Sequence, residues 1–492
     1  MRRSERRTTR RRVLKTLGAA GAAGALGAAG AIPAAGALGS SEEAAKAPRA
    51  AGGAARPRDF AAKLEELVAK TPMVDTHEHL PDEEERLRGE KVACDDWGVL
   101  FSHYIDSDLA SAGMPPGERD KLVGRGVDPE EKWRALAPFW PAVKNTGYGR
   151  AVRLSVKRLY DIDEIEAGSV GRLQEAYERF RKPGMYRKAL VEAAGIESCQ
   201  VNYLWRPFRE SRQPALLHQD LSILAMHMAP GAREISGPAG RDVRDLGDWH
   251  AAIRWWFETY GPYAVAVKSQ AAYARGLDYE RVPAEAAAPV FRKVLAGEPV
   301  AREERKRLED HLFWFCVEEA TARGLPVKLH TGYYAGQNSM PLSRVAANPA
   351  EAADLCRKSP ETTFVFMHIA YPRWQDLVAV AKHYTNAVID MCWAWIVDPA
   401  AAKEFLKSCI AAAPSTKVLT FGGDYIPVEC VVGHAAIARR GVARALAELV
   451  EEGWLGPEDA LELVERILRG NARRIFRLEE KTERLAKAPW IR

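Results

Sequence analysis

Eight apolar runs of four or five residues, spread over residues 73–421, limit the fold more than any other feature of this chain. They are 73–76, 198–201, 222–226, 264–268, 326–329, 363–367, 387–390 and 417–421. None alternates strictly between polar and apolar residues. A strand with one wet face would alternate, so these runs read as strands buried on both faces. Helix-compatible stretches separate most of them, such as 302–323 before the fifth and 399–413 before the eighth. Strands alternating with helices build a parallel sheet. Eight of them predict an α/β chain folded as a (β/α)8 TIM barrel. The connection at 202–221 is short and polar, and is the least regular of the series.

Two stretches exceed a minimal barrel. Residues 81–195 separate the first two runs and carry helical patterns with several Trp and Tyr. They read as a helical insertion after strand 1. Residues 433–478 read as a C-terminal helical tail, with a restart at Gly456-Pro457. The barrel domain is therefore expected over 58–478, followed by a short end segment at 479–492.

The chemistry-bearing residues fall at the C-terminal ends of these runs, where a barrel builds its active site. The first run continues as Asp75-Thr76-His77-Glu78-His79. Side chains two apart in a strand point the same way, so His77 and His79 project together. Two convergent imidazoles can supply two ligands to one metal ion. His330 ends the fifth run, His368 the sixth, and Asp424 follows Gly422-Gly423 after the eighth. Lys268 ends the fourth. The chain has only 11 His, and four stand at these ends. Softer candidates are Lys328, Asp390, Tyr333, Tyr334, Gln337 and Asn338. Lys328 points into the barrel with His330, and Asp390 could orient a ligand histidine or cap a helix. The four loop residues could line a pocket.

This ordered set resembles the amidohydrolase superfamily, more particularly its amidohydrolase-related branch. That pattern is H-x-H on strand one, Lys on strand four in some members, His on strands five and six, and Asp on strand eight. The closing Gly470-Asn471-Ala472-Arg473-Arg474-Ile475-Phe476 is similar to the family's G-N-A-x-x-x-F signature. The resemblance implies one or two divalent ions, with zinc expected, held by His77, His79 and Asp424 and with His330 as a further ligand. It implies that Asp424 orients the attacking water and accepts its proton. His368 would ligate a second ion or polarise the substrate carbonyl. Lys268 has three readings: a carboxylated bridge between two ions, an ammonium that pairs with a substrate carboxylate, or a structural residue. The expected activity is metal-dependent hydrolysis at a carbonyl-type carbon of a small polar substrate.

The segment Phe101-Ser102-His103-Tyr104…Ser111-Ala112-Gly113 resembles D-H-Y-x-W-R…A-x-G of uronate isomerases. Here Ser102, Asp106 and Ser107 stand in place of the motif's Asp, Trp and Arg. That Arg helps bind the sugar carboxylate. Isomerisation or decarboxylation on the same site is the alternative, and His103 is a candidate pocket residue. An alternative of another class is a catalytically silent exported binding barrel.

The formal net charge of +5 invites an acidic partner, but its position argues otherwise. Eight Lys and Arg and one Glu crowd the first fifteen residues, and an Ala/Gly/Leu run follows. Residues 1–40 are expected to be a twin-arginine (Tat) export signal, with Thr9-Arg10-Arg11-Arg12-Val13-Leu14-Lys15 as its motif. Residues 41–57 read as a flexible linker. Loss of 1–40 would remove seven net positive charges and take +5 to −2. The expected location is periplasmic or extracellular, with a permanent membrane anchor as the less favoured reading and the Tat machinery as a partner through the signal. Homo-oligomerisation is left open. The seven scattered Cys lack any C-x-x-C and read as buried apolar residues. There is no Walker loop, G-x-G-x-x-G after a strand, G-x-S-x-G or H-E-x-x-H, so nucleotide-dependent, serine-hydrolase and zincin chemistries lose their support. No basic stripe lies outside the first fifteen residues, which argues against a nucleic-acid partner.

Overall fold

A computed structural model of the chain describes residues 57–337 and 339–491. The expected signal at 1–40, nearly all of the linker at 41–57, and Asn338 lie outside the described residues.

The apolar runs form short parallel strands in two hydrogen-bonded series. β1 (Met73–Glu78), β2 (Ile196–Val201) and β3 (Leu217–Gln219) make the first. The second comprises β4 (Leu221–Ser222), β5 (Val267–Ser269), β6 (Val327–His330), β7 (Phe364–Met367), β8 (Ala387–Asp390) and β9 (Val418–Leu419). Only Asp220 separates β3 from β4, so the two are one pass of chain. The Asp220 N–H donates to the Val201 carbonyl at 2.9 Å, and the Leu221 N–H donates to the Ala266 carbonyl at 2.9 Å. This pass therefore links the two series. At the far end, the Thr76 N–H donates to the Phe421 carbonyl at 3.0 Å, and the Asp424 N–H to the His77 carbonyl at 2.8 Å. The last pass is thus bonded to the first, and the eight passes follow in sequence order. That is the α/β barrel topology the alternating pattern predicts.

Seven of the eight runs coincide with these strands to within a few residues. The third does not: within 222–226 the chain already turns into the helix Leu224–Met228. The true strand carries His218, Gln219 and Asp220, all buried. An apolar criterion passes over a strand whose inward groups are polar and paired inside the barrel.

Between β1 and β2 the described residues form helices, among them Gly147–Tyr160 and Val170–Phe180. The helix Gly147–Tyr160 packs along the helix Val428–Glu451. They approach closely at Gly433, whose N–H donates to Ser155 Oγ at 2.9 Å. A Cβ there would lie 1.8 Å from the Ala151 carbonyl oxygen. The G-N-A segment closes the other end of the barrel. Asn471 Nδ2 donates to the Ser415 and Val418 carbonyls at 2.7 and 2.8 Å. Ala472, Phe476 and Leu478 pack under the barrel with Val74, Val265, Val365, Val388 and Leu419.

Gly433→Ala is expected to cost about 1–3 kcal/mol, because the obstructing atoms are backbone. Gly171→Ala, on an open helix surface with nothing within 4 Å, should be neutral or slightly stabilising. Urea denaturation of the two variants beside the parent reads the contrast.

Candidate metal centre

β1 presents His77 and His79 toward the turn that follows β9. His77 Nε2 lies 3.2 Å from Asp424 Oδ1, and His79 Nε2 lies 3.1 Å from the same oxygen. A cation bonded at ~2.0–2.2 Å to N and O ligands holds neighbouring donors about 3.0–3.5 Å apart. Both nitrogen–oxygen separations have that spacing, and the donor atoms of the three residues lie within 4.8 Å of one another. His79 is oriented from behind, its Nδ1–H donating to the Asn202 carbonyl at 2.8 Å. That bond turns Nε2 toward Asp424, the orientation that a metal-ligating imidazole needs.

Charge also suits a cation. Burial lowers the His77 and His368 imidazoles well below their usual range, so both are neutral at pH 7. Burial pushes the Asp424 carboxyl up, but the His77 and His79 side chains against it hold it well below the carboxylate range. Two imidazoles and a carboxylate make the donor set of a divalent site. His77 Nδ1 and His368 Nδ1 are buried without a hydrogen-bond partner among the described residues. His368, Cys392 and Asp424 form a second group of donors, all within 4.8 Å of one another.

The turn bearing Asp424 is held by two acids that the sequence reading passed over. Asp75 Oδ1 accepts the His77 and Gly423 N–H groups at 3.0 and 3.2 Å. Glu78 Oε2 accepts the Tyr425 N–H at 2.7 Å. Burial raises Asp75 to about 7 and Glu78 well above the carboxylate range, and the two share a hydrogen bond. A Cβ at Gly423 would lie 1.8 Å from Glu78 Oε1, so glycine is there for close approach. Asp424, Cys392 and His368 all have positive φ, at 61°, 43° and 68°. Such backbone costs about 1–3 kcal/mol per residue and gathers at functional sites. Tyr104, from the segment between β1 and β2, donates its hydroxyl to the Asp424 carbonyl at 2.5 Å.

The other expected residues divide. His330 is buried at the tip of β6, its ring 4.3 Å from that of His368. Its Nε2 engages the Tyr333 carbonyl at 2.9 Å, and it joins neither donor group. Lys268 is buried, with Met367 Sδ 2.7 Å from its Nζ. Burial lowers it to about 8. Asp390 orients its neighbours, accepting the Thr76 hydroxyl at 2.7 Å and the Cys392 N–H at 2.9 Å. Lys328 is structural: its ammonium donates to Asp220 at 2.9 Å, Gln200 Oε1 at 2.6 Å and the Thr76 carbonyl at 2.8 Å. Tyr333 is half-buried, 6.2 Å from the Trp393 ring, and Trp393 stands 5.4 Å from His368. Tyr334 is buried and donates to the Ala272 carbonyl, while exposed Gln337 donates to the Ser107 carbonyl at 3.0 Å. His103 is enclosed between Tyr104 and Tyr425, with ring separations of 4.2 and 5.6 Å.

Residues 299–478 match the family model described as amidohydrolase. The protein fluG of Emericella nidulans is 26% identical over 266 residues, half of this chain but only 30% of that longer protein. A uronate isomerase of Rhizorhabdus wittichii is 21% identical over 450 residues, covering 82% of this chain and 92% of its own length. The crystal structure of a uronate isomerase from Thermotoga maritima superposes with a TM-score of 0.68 at 16% identity. It covers 85% of this chain and 97% of its own. The family model that matches is an amidohydrolase one, in line with the motif order that the sequence resembles, and the likeness to the solved structure is one of fold.

Lys328→Met is expected to destabilise the fold by about 3–5 kcal/mol, because it leaves Asp220 buried without its cation. Chemical denaturation measures it, and a loss below ~1 kcal/mol would remove Lys328 from its structural role.

Proposed function

We propose that this chain, with its superfamily fold and donor set, is a metal-dependent hydrolase acting on a small polar substrate. One observation carries the reading: His77, His79 and Asp424 meet at the C-terminal ends of the first and last strands with the spacing of ligands. The amidohydrolase family match over 299–478 supports it. A divalent cation there would polarise a carbonyl oxygen and make water acidic enough to ionise near neutral pH, and zinc suits two imidazoles and a carboxylate. Asp424, anionic and hydrogen-bonded, takes the proton of the attacking water and returns it to the leaving group. Asn202 and Asp75 hold His79 and the β9 turn so that these atoms stay in register. Lys268 offers a buried positive charge to an anionic group of the substrate, such as a carboxylate. Trp393 and Tyr333 screen the centre from bulk water. The twin-arginine-like segment at 9–15 supports work outside the cytoplasm.

A second reading is a uronate-isomerase-like proton transfer on the same residues. The likeness to the Thermotoga maritima structure over 85% of this chain, and His103 beside Tyr425, favour it. Ser107 stands where the uronate isomerase motif has its carboxylate-binding Arg, which weighs against it.

The test is turnover of a panel of small amides, esters and lactones, with hexuronates beside them. Hydrolysis lost on chelation and regained with zinc is expected. Asp424→Asn should lower kcat by about 10³-fold while the fold persists. Conversion of hexuronates alone would favour the isomerase, and a rate indifferent to chelation would overturn the metal reading.

A further inference from the structure

A groove lies between the helices Gly147–Tyr160 and Val428–Glu451, against the start of the helix Pro399–Ala412. Its volume is about 920 Å³, within the range of small-ligand sites. Helical spacing decides what faces it. Arg150, Leu154 and Arg158 stand four residues apart and share one face of the first helix. Arg440 and Arg444 share a face of the second, with Ile437 in the next row.

The floor is apolar and fixed. Trp395 closes it, with its Nε1–H donated to the Thr420 carbonyl at 2.8 Å. A Cβ at Gly441 would lie 2.1 Å from the Trp395 ring, so the glycine lets the ring seal the base. A Cβ at Gly147 would lie 2.1 Å from the Ile396 carbonyl oxygen, and glycine there brings the first helix against the same segment.

The rim is unbalanced in charge. Arg150, Arg158, Arg440, Arg444 and Lys403 line the groove against two carboxylates, Asp398 and Glu448. Both carboxylates are already engaged. Asp398 accepts the Ala400 and Ala401 N–H groups at 3.1 and 3.0 Å and the Tyr371 hydroxyl at 3.2 Å. Glu448 accepts the Lys403 ammonium at 2.7 Å and the Lys407 ammonium at 2.9 Å. Among the described residues, Arg150, Arg440 and Arg444 have neither an ion pair nor a side-chain hydrogen bond, and Arg158 reaches the Ala193 carbonyl at 3.4 Å. Four guanidiniums around one groove repel one another, and an anion between them removes the repulsion.

We propose that this groove binds a small organic dianion, with phosphate or carboxylate groups at the ends of an apolar body. Arg150 and Arg158 stand about 12 Å apart along their helix, too far for one small oxyanion to join. A guanidinium fork takes a phosphate or a carboxylate through two parallel N–H bonds. The charged ends then meet the arginines, and the body lies on Leu154, Ile437 and the floor. The site is separate from the strand-end centre and does not depend on a metal there.

The probes are octane-1,8-bisphosphonate and decanedioate, which carry phosphonate or carboxylate groups on the same eight-carbon chain. Calorimetric titration of the full chain should show one equivalent bound, the bisphosphonate more tightly, with affinity falling as NaCl is raised. Arg440→Gln with Arg444→Gln should weaken binding by about 10–100-fold. Both side chains are exposed, so the melting temperature without probe should match the parent. Arg150→Gln, on the other helix, should weaken binding by about 10-fold. Arg172→Gln, exposed on a different helix, should leave it unchanged. Absence of saturable binding, or equal affinity in the parent and the double variant, would overturn the proposal. Binding lost in Asp424→Asn but kept in the double variant would place the probe at the strand ends and overturn it too. Sedimentation with phosphatidylglycerol vesicles without binding of either free probe would make the surface a membrane face instead.

Discussion

The Lys328 ammonium is the interaction on which the rest depends. It sits inside the barrel and reaches β1 through the Thr76 carbonyl, β2 through Gln200 and the β3–β4 pass through Asp220. Phe476 lies below it, 4.8 Å from Nζ to the ring centroid. A lone ammonium in such a place would be very costly, and so would a lone Asp220. Together they satisfy each other and fix three strands against β6. β1 is thereby set in depth and rotation, and His77 and His79 stand on its end. On the opposite side, Asp390 takes the Thr76 hydroxyl and sets β8 against β1. A polar lattice inside the barrel thus positions the donors above it.

The centre itself runs against local preference. Asp424, Cys392 and His368 occupy left-handed backbone, and Ile369, a β-branched residue, does so at 51°. Four buried acids, Asp75, Glu78, Asp390 and Asp424, crowd the same strand ends. Burial raises the first three, and only Asp424 is held below the carboxylate range, because only Asp424 has two imidazoles on it. A cation there relieves the crowding as well as completing the open nitrogens.

Much of this was legible in the sequence. Period and spacing predicted the alternating barrel, and the H-x-H of β1 with Asp424 predicted which atoms converge. Residues at strand tips are readable because a barrel sends those tips to one face. The third strand was not readable, since its buried side chains include the polar His218, Gln219 and Asp220. The partner of Asp220, Lys328, is 108 residues away. His330 shows another limit: its position at a strand tip was right, but the Tyr333 carbonyl takes its Nε2. Asp75, Glu78 and Cys392 had weak signals. Each is one letter beside a stronger motif, and its role comes from a turn that meets it from the far side of the barrel.

The central claim is that Asp424 joins His77 and His79 around an ion. Anomalous diffraction from crystals of the full chain, collected at a zinc or cobalt edge after loading, tests it most directly. The account predicts a peak within bonding distance of His77 Nε2, His79 Nε2 and Asp424 Oδ1, with His79 Nδ1 still bonded to the Asn202 carbonyl. Density showing the two imidazoles directly hydrogen-bonded to Asp424, with no anomalous peak between them under saturating metal, would contradict it.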